Sequence, residues 1–223
     1  MRDIFLFDLD GTLTDSGTGI MNSVCHALRH FGIEEEDRAR LQRFVGPPLK
    51  ESFMKYYGFS DSQGEEAVEA YREYYREKGI WENKLYPGIQ EGLKRLQKES
   101  YILGIASSKP EIFVNQIAEA FGISPYLTVI AGATLDGSRV KKGHVIREAL
   151  ERLKAPASRV IMIGDRREDV LGAQELGIPC VGALYGYGEE GELSDAGALW
   201  MLQESCQVGE LPRICGQRLT AHE

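Results

Sequence analysis

The run Ile4-Phe5-Leu6-Phe7-Asp8-Leu9-Asp10-Gly11-Thr12-Leu13 decides the fold of this chain. Its first four residues are apolar and carry no helix signal, which predicts a buried strand. Two carboxylates and a glycine follow at the carboxyl end of that strand, where α/β folds place their chemistry. The run therefore predicts an α/β protein with a candidate active site at Asp8 and Asp10.

A purely structural role accounts for Asp10 more easily than for Asp8. Asp-Gly is a common turn dipeptide, so Asp10 alone is compatible with a plain turn. Asp8 is not, because an unpaired charge beside the end of a hydrophobic strand costs on the order of several kcal/mol unless a cation or donors meet it. The local sequence leaves both interpretations open.

Composition excludes several classes of function. The chain has 223 residues, of which 43% are apolar and 27% charged, so it can bury a large core, and one large domain with a small insert is expected. A net charge of −8 argues against binding to nucleic acids or anionic membranes. No apolar run approaches the ~20 residues of a membrane span. We expect a cytoplasmic protein.

The cysteines point to the same compartment. Cys25, Cys180, Cys206 and Cys215 show neither a CxxC pair nor a zinc-binding spacing. Reduced, structural thiols are therefore predicted.

Strand-and-helix units recur along the chain. Further strands are predicted at 102–106, 128–131, 160–163 and 180–183, and helices at 111–121, 145–153 and 168–176. This alternation predicts a Rossmann-like parallel sheet with helices on both faces.

About ninety residues separate the first two strands, far more than the ~10–12 that a crossover needs. They carry helical patterns at 19–31, 49–57 and 65–78. We therefore predict an inserted α-helical domain at 16–84 and a core formed by 1–15 and 85–223.

Polar residues follow the other predicted strands. Ser107 follows the second strand, although a serine there is more often a helix cap. Lys141 and Lys142 precede a helix, where a lysine pair is usually solvated. Asp165 follows a buried strand, and Asp169 comes four residues later.

Four acids in one crevice would repel each other unless a cation balanced them. The four are Asp8, Asp10, Asp165 and Asp169. Carboxylate oxygens with open positions suit Mg²⁺. A divalent metal is therefore predicted.

Taken in chain order, these signals resemble the four motifs of the haloacid dehalogenase-like hydrolase superfamily. The resemblance rests on Asp8-Leu9-Asp10-Gly11-Thr12, Ser107, Lys142, and Gly164-Asp165 with Asp169, and extends to about Ala198. The helical insert, with Phe44-Val45-Gly46-Pro47-Pro48-Leu49, resembles the cap of the subgroup that contains phosphoglycolate phosphatases. A Rossmann-like core with a helical cap is implied.

The resemblance also implies roles for the motif residues. Asp8 would be the nucleophile that forms an aspartyl-phosphate, and Asp10 would be the general acid and then the base. Ser107 and Lys142 would hold the transferring oxygens, although a slip to Lys141 stays open and Lys109 is a further cation near the phosphate.

Binding roles follow in the same way. The implied phosphate-binding residues are Leu9, Gly11, Ser107, Ser108 and Lys142. The implied Mg²⁺ ligands are Asp8, Asp10 through its backbone carbonyl, Asp165 and Asp169, the last acting through water or by orienting its neighbours.

The sequence thus predicts a Mg²⁺-dependent phosphatase of a small phosphorylated metabolite. 2-Phosphoglycolate is the leading substrate, with nucleoside monophosphates close behind. A sugar phosphomutase and a catalytically silent binding protein are the alternatives. No nucleic-acid or membrane partner is expected, and the protein is expected to be a monomer or homodimer.

Overall fold

The computed structural model describes residues 2–216. Met1 and 217–223, which the predicted core boundaries include, lie outside the described residues. Within the described part of the chain the strands are β1 (Ile4–Phe7), β2 (Thr14–Asp15), β3 (Lys84–Leu85), β4 (Ile102–Pro110), β5 (Val129–Ala133), β6 (Val160–Gly164), β7 (Cys180–Ala183) and β8 (Trp200–Leu202).

Helices fill most of the intervening sequence. The α-helices of residues 2–216 are α1 (Gly17–His30), α2 (Arg38–Gln42), α3 (Leu49–Tyr57), α4 (Asp61–Tyr74), α5 (Ile89–Lys98), α6 (Glu111–Ala120), α7 (Lys142–Leu153), α8 (Arg167–Gln174), α9 (Glu192–Ala196) and α10 (Leu211–Ile214). None of these helices is long and apolar enough to cross a membrane.

Six strands form one parallel sheet in the order β5-β4-β1-β6-β7-β8. β1 lies in its middle, hydrogen-bonded to β4 on one side and to β6 on the other. Ile4 and Leu6 pack into one apolar cluster and Phe5 and Phe7 into another, because successive side chains of a strand point to opposite faces. Burial on both faces explains the unbroken apolar run, and the predicted α/β class is confirmed.

Two strands differ from the prediction. β4 was expected to end at Ala106 but continues to Pro110, because Ser107 still pairs with Gly132 of β5. β8 was not predicted at all. Its three residues pair in parallel with β7, and so short a run carries no recognisable period.

A helical segment connects β2 to β3, which pair with each other as a short antiparallel ribbon. Helix α4 packs against both α1 and α3, and the structure confirms a helix over Leu49–Tyr57. The predicted helix 65–78 is instead the end of α4 followed by a π-helical turn at Tyr75–Gly79.

Candidate active site

The site lies at the carboxyl edge of the central strands. Asp8 follows β1, Ser107 lies in β4 and Asp165 follows β6, so three neighbouring strands place these side chains at one edge of the sheet. All three are buried, and the Asp8 backbone N–H donates to the Ile163 carbonyl at 2.8 Å. Parallel pairing thus joins residues that are distant in sequence.

Lys142 supplies the cation of the site. It lies in the first turn of α7, and its Nζ is 2.8 Å from Asp8 Oδ1 and 2.7 Å from Asp169 Oδ1. Burial alone would lower its pKa, but the carboxylates of Asp169 and Asp8 outweigh burial and hold that pKa above its ordinary value. Lys141 is exposed, so the structure places Lys142 in the site.

Three carboxylates surround a space suited to a metal ion. Asp8, Asp165 and Asp169 each offer an oxygen, and these oxygens lie within 4.8 Å of one another. Lys142 Nζ lies within 2.8 Å of Oδ1 of both Asp8 and Asp169, and no other described residue hydrogen-bonds to these two oxygens. Buried hard oxygens with free lone pairs fit Mg²⁺.

Two acids of the cluster have raised pKa values. Burial, and then the negative charges of Asp169 and Asp8, raise the pKa of Asp165 well above its usual range. Burial raises the pKa of Asp169 to about 7 although the charge of Lys142 lowers it. Burial is the largest cause of both shifts, and a divalent cation at these oxygens would favour the ionised carboxylates.

Asp10 occupies a separate position within the site. Lys109 Nζ donates to both of its carboxylate oxygens, at 2.8 and 2.6 Å, and both side chains are buried. The Lys109 backbone N–H also donates to Ser107 Oγ at 3.3 Å. Sequence reasoning treated Lys109 only as a cation near the phosphate, and missed this pair.

Of the predicted phosphate-binding residues, Gly11 has the clearest structural requirement. Its φ is +86°, and an added Cβ would lie 2.1 Å from Asp165 Oδ2, so only glycine fits here. Its N–H donates to the Thr14 carbonyl at 2.8 Å. The Leu9 side chain is buried in the core, and Ser108 lines the cleft beside Lys109.

The loop Tyr185-Gly186-Tyr187-Gly188 borders the site. The Tyr187 N–H donates to Asp165 Oδ2 at 2.8 Å. Its hydroxyl group donates to Asp15 and accepts from the Gly17 N–H. Tyr187 thus connects the acid cluster to the chain entering α1.

Arg166 is a residue that sequence reasoning missed. It is buried, pairs with Glu192 at 3.0 Å, and donates from Nη1 to the Val45 carbonyl at 2.6 Å. Val45 belongs to the predicted cap segment 44–49. Nothing in the local sequence separates Arg166 from its exposed neighbour Arg167, because the contact spans 121 residues.

A cleft of about 550 Å³ opens between the sheet edge and the helical segment. At the end nearest the acids it is lined by Asp10, Ser108 and Lys109. Its wall is mostly apolar and includes Ile20, Phe44, Val68, Tyr71, Tyr75 and Phe113. The charged end and the apolar wall suit a ligand with an anionic head and a larger, less polar body.

Comparisons with known proteins agree with this arrangement. The profile of the haloacid dehalogenase-like hydrolase family matches residues 5–183. A 5'-nucleotidase of Pseudomonas aeruginosa is 46% identical over 84% of this chain and 85% of its own length. The tyrosine-protein kinase PtkA of Mycobacterium tuberculosis is 38% identical over 96% of this chain and 72% of its own length.

Two further matches extend the comparison. A phosphoglycolate phosphatase of Yersinia pestis is 31% identical over 81% of this chain and 80% of its own length. The crystal structure of a predicted phosphatase from Clostridium acetobutylicum superposes with a TM-score of 0.92 at 43% identity, covering 95% of this chain and 98% of that one. The matches thus cover most of the chain, and the structural match covers both the sheet and the helical segment.

Proposed function

The chain belongs to the haloacid dehalogenase-like hydrolases and is a phosphoric monoester hydrolase, and from this we propose a Mg²⁺-dependent phosphatase that forms an aspartyl-phosphate on Asp8. The observation that carries the proposal is the buried cluster of Asp8, Asp165 and Asp169 around Lys142. A nucleophile, a cation and metal ligands therefore lie within one site. In this proposal residues 16–84 are the cap domain, and 1–15 with 85–223 the core.

Two steps complete the reaction. In the first, a carboxylate oxygen of Asp8 bonds to phosphorus, the bond to the alcohol oxygen breaks, and Asp10 gives its proton to the leaving alcohol. In the second, water bonds to phosphorus and gives its proton to Asp10, while the bond to Asp8 breaks and phosphate leaves. Two displacements thus replace one difficult displacement.

The remaining residues position the phosphoryl group and neutralise its charge. Lys142 contacts Asp8 and can bind the phosphoryl oxygens as negative charge develops on them. Asp169 holds Lys142 in place. Ser107 offers a hydroxyl donor, and Leu9, Gly11 and Ser108 are proposed to line the phosphate position.

Mg²⁺ is assigned to the acid cluster. Asp8, Asp165, Asp169 and the backbone carbonyl of Asp10 would hold it. When bound, the ion neutralises negative charge on the carboxylates and the phosphoryl group, so that one anion can approach another.

The substrate is proposed to be a small phosphorylated metabolite. 2-Phosphoglycolate stays a candidate through the similarity to phosphoglycolate phosphatases. One observation favours a nucleoside monophosphate instead: the cleft of about 550 Å³, with Tyr71, Tyr75 and Phe113 on its wall, is far larger than a two-carbon ester requires. The similarity to a 5'-nucleotidase supports the same candidate.

A phosphate-release assay tests the proposal. The protein is incubated with a panel of phosphomonoesters in excess MgCl₂ or in EDTA, alongside Asp8→Asn. We expect phosphate release with Mg²⁺ only, and a loss of at least ~10³-fold in Asp8→Asn with an unchanged melting temperature, because the nucleophile is gone while one buried charge is relieved.

Three results would contradict the proposal. Release by Asp8→Asn at the wild-type rate would exclude Asp8 as the nucleophile. An isomerised sugar phosphate without free phosphate would indicate a phosphomutase. No turnover of any ester would indicate a silent binding protein.

A further inference from the structure

Tyr75 has a buried hydroxyl group that is not hydrogen-bonded. The side chain is 1% exposed and lines the cleft. Its oxygen has no hydrogen-bond partner within residues 2–216. Folded proteins rarely leave a buried donor unsatisfied, because the desolvation penalty is then uncompensated. An unsatisfied donor at the wall of a ligand cleft points to a ligand that satisfies it.

The surroundings of Tyr75 place it beside the chemistry. Lys109 Nζ lies 4.7 Å from the centre of its ring, and the same Nζ contacts the carboxylate of Asp10. The ring also stacks on Tyr71, with centroids 5.3 Å apart. Tyr75 therefore lies one side chain beyond the proposed general acid, on the cap side of the cleft.

Local backbone structure agrees with a functional position. The π-helical turn Tyr75–Gly79 begins at this residue, and π-helical turns are frequent at functional sites. Burial, and then the negative charge of Asp10, raise the pKa of Tyr75 well above its ordinary value. The hydroxyl group therefore stays protonated and can donate.

We propose that the Tyr75 hydroxyl is a specificity-determining contact that donates a hydrogen bond to an oxygen atom of the leaving alcohol other than the ester oxygen. The proposal rests on the phosphatase function above and deepens it. Asp10 is proposed to reach the ester oxygen, and Tyr75 lies on the other side of Lys109 in the same cleft, so its hydroxyl group can meet polar atoms of the alcohol beyond the ester oxygen. The favoured substrates are phosphomonoesters of oxygen-rich alcohols, such as nucleosides and sugars, over those of plain aryl alcohols.

The test removes only the hydroxyl group. Tyr75→Phe is assayed on uridine 5'-monophosphate, whose ribose carries further oxygens, and on phenyl phosphate, whose alcohol carries none. We expect kcat/KM for the nucleotide to fall ~3- to 10-fold, mainly through KM, and kcat/KM for phenyl phosphate to stay unchanged. Without substrate, the melting temperature should stay level or rise, because an unsatisfied buried donor is removed.

Tyr57→Phe is the matched control. The Tyr57 hydroxyl donates to Glu35 at 2.9 Å, away from the cleft, so its loss should lower the melting temperature and leave both kcat/KM values intact.

Several outcomes would overturn the inference: no loss on either ester, an equal loss on both, or a fall in melting temperature for Tyr75→Phe as large as in the control. If the wild-type protein hydrolyses neither ester, the proposed function fails on these esters, while the melting temperatures still show whether the hydroxyl group has a partner in the protein.

Discussion

The acid cluster and the wall of the cleft solve opposite electrostatic problems. The acid cluster, which we call the floor, consists of Asp8, Lys142, Asp165 and Asp169; all four are buried, and Lys142 contacts Asp8 and Asp169. The roof of the cleft comes from the helical segment and combines apolar and aromatic side chains, such as Val68, Tyr71 and Tyr75, with charged ones, such as Glu69 and Arg72. The difference teaches that the buried charges of the floor suit the proposed phosphoryl transfer, whereas the apolar side chains of the roof suit the proposed binding of the substrate's body.

The floor depends most on Lys142. Lys142→Met leaves Asp8 and Asp169 buried without their cation, so the free energy of unfolding should fall by ~3–5 kcal/mol in metal-free urea denaturation. Lys141→Met is the control, since that neighbour is exposed and should change stability by less than ~0.5 kcal/mol. Equal stability of the two variants would show that Lys142 does not hold the floor together.

The stability of the metal-free protein should depend on pH through the acids of the floor. The pKa of Asp169 is about 7 in the folded protein, against 3.8 ordinarily. Between these values the folded state binds the extra proton, so metal-free stability should fall as pH rises from about 4 to about 7, and Asp165, whose pKa is also raised, adds to the fall.

Bound metal requires ionised carboxylates, so its stabilising effect should grow over the same pH window. With Mg²⁺ at ~100 times its dissociation constant, we expect the free energy of unfolding to rise by ~2–3 kcal/mol at pH ~8 and by clearly less at pH ~5. Melting temperatures in MgCl₂ and in EDTA measure both effects. Asp169→Asn should reduce the fall in metal-free stability, and the remainder belongs to Asp165, whose pKa is also raised; an undiminished fall would exclude Asp169 as its source.

Changing a side chain of the roof should have a smaller effect than changing one of the floor. Arg72 of α4 donates from Nη2 to the Leu135 carbonyl at 3.0 Å, across the mouth of the cleft. Arg72→Met should raise KM ~2- to 3-fold with little change in kcat, because a single partly exposed contact is lost. Steady-state kinetics measure this, with the exposed Arg76→Met as control. A loss in kcat instead of KM would place Arg72 in the chemistry of the floor.

Much of the floor could be predicted from the sequence. Asp8 and Asp165 directly follow apolar runs, and parallel strands bring their carboxyl ends to one edge. Lys142 and Asp169 then lie in the first turns of α7 and α8, close to that edge. The chain order of the motifs therefore carried most of the geometry.

The contacts that tie the roof and the loops to the floor were not predictable in this way. Lys109 and Asp10 are 99 residues apart, and Arg166 and Val45 are 121 apart. Residue type alone does not indicate which of several lysines or arginines turns inward. The strand β8 was missed for a related reason, since its three residues are recognisable only by their pairing with β7.

The amino-acid sequence by itself determined most of the sheet, the family and the acids of the floor, because hydrophobic period and motif order are local properties of the chain. Only the tertiary structure decided the pairing of Asp10 with Lys109, the place of Tyr187 beside Asp165, and the unsatisfied hydroxyl group of Tyr75. Burial and partnership depend on which distant side chains meet, and folding alone brings those side chains together.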